Sequence, residues 1–93
     1  TIDPVGILKN YVEDLEKNLG KMRTQIGLLR GQIRKLHTVY EENEKEVNAS
    51  MKLAQAARDA GNENQMLLSS RKAARLKESN EKYFRRIKGK HQQ

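Results

Sequence analysis

The sequence predicts an all-α fold: a two-helix antiparallel coiled-coil hairpin, with a long first helix over about residues 4–60 and a shorter second helix over about 63–88. Three observations carry this. Apolar residues recur at alternating steps of three and four along most of the chain. The pair Gly61-Asn62 interrupts that pattern. Finally, 33% of the 93 residues are charged and only 35% hydrophobic, with three Tyr, one Phe and no Trp, which is too little apolar mass for a thick globular core. Long amphipathic helices need only a narrow apolar stripe, so they suit this composition.

The first helix has a start with a mechanism. Asp3 is a good N-cap, and Pro4, lacking an N–H, loses nothing in the first helical position. From there the seam runs Val5, Leu8, Val12, Leu15, Leu19, Met22, Ile26, Leu29 and Ile33, then Leu36 and Tyr40. Val5, Val12, Leu19, Ile26 and Ile33 occupy a positions; Leu8, Leu15, Met22, Leu29 and Leu36 occupy d positions. The same register continues, thinner and partly polar, through Asn43, Val47, Ser50, Ala54 and Ala57. A helix from Pro4 to Ala60 would be about 85 Å long and would leave its stripe wet unless a partner helix covers it.

Gly61 ends that helix by adopting a left-handed conformation without a Cβ penalty, and Asn62 caps the next, with Gln65 placed to complete a capping box. The expected tip is residues 60–63, and so short a connection makes the helices adjacent and antiparallel. The second seam is Met66, Ser69, Ala73, Leu76, Asn80, Tyr83 and Ile87, with residues 89–93 expected as a disordered tail. Pairing residues equidistant from the tip sets Ala57 with Met66, Ala54 with Ser69, Ser50 with Ala73, Val47 with Leu76, Asn43 with Asn80, Tyr40 with Tyr83, and Leu36 with Ile87. Small residues gather near the tip. The Asn layer penalises slipped registers, in which each amide would face an apolar side chain. Glu41, Glu42, Glu44 and Glu46 fall opposite Arg75 to Lys82, where exposed pairs orient the helices rather than hold them.

The pairing leaves the hairpin lopsided. Residues 1–93 read as a single coiled-coil hairpin, yet the most regular heptads, Val5 to Ile33, find no partner within it. Either a second copy supplies one or a longer natural chain returns along the first arm. A homo-oligomer is the expectation, most simply two hairpins joined antiparallel about an axis near Leu19, or a larger assembly.

Candidates for chemistry are few. There is no cysteine, which excludes disulfides, thiolate metal sites and thiol nucleophiles and favours a reducing compartment. His37 and His91 are too far apart in the pairing scheme to suggest a metal or catalytic site, and no acid, base and nucleophile converge, so neither an enzyme nor a cofactor is expected. Gly20, Thr24, Gly27 and Gly31 form a second stripe of small residues away from the seam, readable either as a groove for another helix or as tolerated exposed glycine. The net charge of +7 is concentrated in the second arm. There Arg71, Lys72, Arg75, Arg85, Arg86 and Lys88 could meet lipid or nucleic-acid phosphates, or simply form a solvated face. No base-reading motif accompanies them, so specific nucleic-acid binding is not expected.

The pattern DPxxxLxxYVxDLE, carried by Asp3, Pro4, Leu8, Tyr11, Val12, Asp14, Leu15 and Glu16, resembles the phage shock protein A family, which includes the vesicle-inducing protein of plastids. The tip Ala56-Ala57-Arg58-Asp59-Ala60-Gly61-Asn62-Glu63, leading into Ser70-Arg71-Lys72, resembles it too. The resemblance covers roughly residues 3 to 88. It implies a fold similar to the ESCRT-III membrane-remodelling proteins and a non-enzymatic scaffold of the membrane-stress type. Such proteins stack hairpins into rods or rings at the cytoplasmic face of the inner membrane, and some hold a regulatory protein, a transcriptional activator, inactive. The family's amphipathic membrane-inserting helix would precede Thr1, and the continuation of its return helix would follow Gln93. The competing expectation is a generic basic coiled-coil adaptor that binds a protein or, nonspecifically, nucleic acid.

Overall fold

The computed structural model describes residues 3–92 and contains two helices, α1 (Pro4–Asp59) and α2 (Glu63–His91). Its contacts divide the chain into two units, Thr1–Gln32 and Ile33–Gln93, with the boundary inside α1. The second unit is a helical hairpin formed by the C-terminal half of α1 and the whole of α2.

At the start of α1 the Asp3 carbonyl accepts the Ile7 N–H at 3.1 Å, the first helical bond. The Asp3 carboxylate leans over Gly6, 2.8 Å from where a Cβ would lie. At the other end the chain turns with a Schellman motif. The Asn62 N–H donates to the Ala57 carbonyl at 2.8 Å, the Gly61 N–H donates to the Arg58 carbonyl at 3.1 Å, and Gly61 has φ of 74°. That left-handed residue sets the tip. Gly61→Ala should therefore lower the hairpin's stability by about 1–2 kcal/mol. A thermal melt reads this directly, and an unchanged midpoint would show that the tip does not depend on the glycine.

Asn62 opens α2 as its N-cap, its side-chain oxygen accepting the Gln65 N–H at 3.1 Å. The capping box is only half formed: Gln65 Nε2 instead donates to Ser69 Oγ at 3.0 Å. The reason lies in the Schellman turn, which already uses the Asn62 N–H that a capping-box glutamine would accept.

Along the hairpin the buried residues are Val47, Ser50 and Ala57 of α1 and Ser69, Ala73, Asn80 and Ile87 of α2. Tyr40, Asn43, Ala54, Met66, Leu76 and Tyr83 are half-buried beside them. These are the positions that a three-and-four spacing selects on each helix, and the small ones among them, Ser50, Ala54, Ala57, Ser69 and Ala73, gather toward the tip. Among the described residues no buried side-chain nitrogen or oxygen lacks a partner.

α2 does not end at Lys88, and residues 89–91 are not a disordered tail. The helix runs to His91, and the Gln92 N–H closes it on the Gly89 carbonyl at 3.2 Å. Gly89 costs about 1 kcal/mol relative to alanine in a helix. Two gains offset this: Ile87 and Lys90 prolong the seam, buried and half-buried, and Lys88, Lys90 and His91 place positive charge at the negative end of the helix dipole. Residue 93, the last of the expected tail, lies outside the described residues.

Candidate interaction surfaces

In the first unit the seam is open. Exposure runs from 48% at Ile26 through 60% at Leu15 to 74% at Val5, against 7% for Val47 and Ile87 in the hairpin. Leu8, Val12, Leu19 and Met22 are exposed as well, while Leu29 and Ile33 are half-buried. The contrast arises within one helix and one unbroken register. Full burial of a Leu, Ile or Val side chain contributes about 1.5–3 kcal/mol, so a covered seam would gain considerably over an open one.

The hairpin's polar layer sits between the tyrosines and the aliphatic residues. Asn43 Nδ2 donates to Asn80 Oδ1 at 2.9 Å, and Asn80 Nδ2 donates to the Tyr40 carbonyl at 2.9 Å. On one flank the Glu44 carboxylate holds the Tyr40 phenol protonated above its ordinary range, through hydrogen bonding and then charge repulsion. An open groove of about 760 Å³ lies there, lined by Tyr40, Val47, Asn80 and Phe84 with charged side chains around them. Little in the residue pattern points to this groove beyond Phe84, a large apolar residue just off the seam that stays exposed.

His37 and His91, expected to lie apart, approach edge-on with ring centroids 6.5 Å from one another. Helical side chains lean toward their own N-terminus. Across an antiparallel pair those two leans converge here, an effect that pairing residues by level alone ignores. Among the described residues no group of three or more His, Cys, Asp or Glu side chains gathers as a metal site.

The basic residues Arg71, Lys72, Arg75, Arg85, Arg86 and Lys88 are all exposed. Arg86 lies over the Tyr83 ring, 5.5 Å from its centroid. The acidic cluster of α1 meets α2 through Lys72 and Glu46 at 3.7 Å, nearer the tip than the expected contact with Arg75 to Lys82. Both side chains are more than half exposed. Replacing Glu46 by Gln should thus cost at most about 0.5 kcal/mol, and nothing in high salt. A larger, salt-insensitive loss on denaturant titration would contradict that.

The small-residue stripe faces open space: a Cβ added at Gly20, Gly27 or Gly31 would meet nothing within 4 Å. Thr24 turns its hydroxyl back onto the Gly20 carbonyl at 3.1 Å. None of the described helices is long and apolar enough to cross a membrane.

No protein-family model matches this chain, and no curated protein or solved structure does so either. The open seam, the polar layer and the basic arm therefore carry the functional reading.

Proposed function

We propose that this chain is a non-enzymatic, self-assembling scaffold of the phage-shock, membrane-stress type, acting through coiled-coil oligomerisation at the cytoplasmic face of the inner membrane. The observation that supports it best is the exposed seam from Val5 to Ile26, an apolar stripe in heptad register that continues the register of the hairpin. Heptads with β-branched or Leu residues at a and Leu or Met at d are coiled-coil halves, and they are stable only when a second helix interdigitates with them. The resemblance of the start and tip motifs supplies the membrane part of the reading.

A second reading rests on the basic arm. Arg71, Arg75, Lys82 and Arg85 recur on the outward side of α2, a pattern that would let a basic adaptor hold an acidic protein or, nonspecifically, a nucleic acid. Light scattering and vesicle pelleting separate the two readings. The scaffold associates with itself at micromolar concentration and, as the full natural protein, sediments with anionic but not neutral vesicles. Retention on DNA that falls steeply with salt, without any lipid dependence, would favour the adaptor.

A further inference from the structure

We infer that the seam of the first unit is covered by a second copy of this chain, antiparallel, about a two-fold axis that passes between Gly20 and Lys21. This deepens the self-assembly reading above and rests on it.

The hairpin supplies the template. In heptad terms Asn43 is a d residue and Asn80 an a residue, so its layers set a against d. His37 and His91, which approach one another, both occupy e positions; Glu46 and Lys72, which pair, both occupy g positions. Antiparallel pairing in this protein thus brings e flank to e flank and g flank to g flank. The same rule applied to two copies of the seam sets Leu19 against Met22, Leu15 against Ile26 and Val12 against Leu29, each layer occurring twice.

Charge then selects direction and register. The e flank carries Lys9, Glu16, Arg23 and Arg30, whereas the g flank, Tyr11, Asn18, Gln25 and Gln32, carries no charge. In a parallel pair the charge contacts run from g of one helix to e of the other, so none would form. In the antiparallel pair each Glu16 falls between Arg23 and Arg30 of the second copy. Lys9 faces Arg30 at the outer ends, and the two Arg23 side chains flank the axis, each beside a Glu16. Sliding one heptad toward the N-terminus moves each Glu16 between the second copy's Glu16 and Arg23, so its contact with Arg30 is exchanged for a like-charge one, and puts Lys9 between Arg23 and Arg30. Sliding the other way sets Leu8 against Tyr40 and Val5 against Asn43, which are already half-buried in the hairpin.

The chain lacks cysteine, so introduced thiols are the only ones present. Leu19→Cys and Met22→Cys variants, mixed in equal amounts and oxidised, should yield the mixed disulfide in excess over either homodisulfide. Independently, Glu16→Arg should weaken the dimer at least tenfold in sedimentation, and adding Arg23→Glu and Arg30→Glu to the same chain should restore it. A dimer that forms mainly homodisulfides, or one indifferent to Glu16→Arg, overturns this geometry and leaves self-assembly standing. A wild-type chain that stays monomeric at high concentration overturns both.

Discussion

Glutamate at both Leu15 and Leu19 is expected to abolish self-association while leaving the hairpin folded. Both side chains are exposed, and both belong to the unit Thr1–Gln32, whereas every residue found buried belongs to the other unit. Their contribution is therefore made only when a partner covers them. At about 1.5–3 kcal/mol per buried leucine, counted in both copies, the loss is at least roughly 6 kcal/mol, about ten-thousand-fold in dissociation constant. Sedimentation should find a monomer across the accessible range. Hydrogen exchange gives a second readout. A helix with an uncovered stripe has little to hold it beyond its own propensity, so residues 4–32 should lose protection while residues 33–91 keep theirs. If the variant still associates with wild-type affinity, the seam is not the assembly surface.

What was legible in the sequence was whatever a repeat or a steric rule determines locally. The a and d positions follow from helical geometry, and the burial of Val47, Ser50, Ala57, Ala73 and Ile87 matches them. Gly61 marks the tip because few other residues take a positive φ cheaply. What escaped depended on competition between neighbours. Gly89 reads as a stop only if the burial of Ile87 and the basic last turn are left out. Gln65 reads as half of a capping box only if the Asn62 N–H is free, and the turn has already claimed it. His37 and His91 meet because of side-chain lean, which residue numbers do not encode. The open seam was legible as an absence of partner: the regular heptads outrun the return helix, and exposure from Val5 to Ile26 is the structural counterpart of that mismatch.

Replacing Asn43 and Asn80 together by leucine should raise the hairpin's melting temperature, whereas Asn43→Leu alone should lower it. The asymmetry follows from the two hydrogen bonds of the layer. Asn80 is the buried member, at 7% exposure, and its oxygen is served by Asn43 while its nitrogen is served by the Tyr40 carbonyl. Removing Asn43 strands that oxygen away from water, at about 1–3 kcal/mol. Removing both amides strands nothing. It gives up two hydrogen bonds worth about 1 kcal/mol net each and buries two leucines worth about 1.5–3 kcal/mol each, a gain of about 1–4 kcal/mol. The layer is thus retained at a thermodynamic loss, and the return is alignment: a slipped hairpin must bury an unpaired amide, a penalty that Leu opposite Leu no longer imposes. Spin labels on opposite helices would read this as a broadened interhelical distance distribution in the double variant, alongside its higher melting temperature. A double variant that melts lower than wild type would show that the amides contribute net stability, and an unbroadened distribution would assign the register to the Gly61 tip alone.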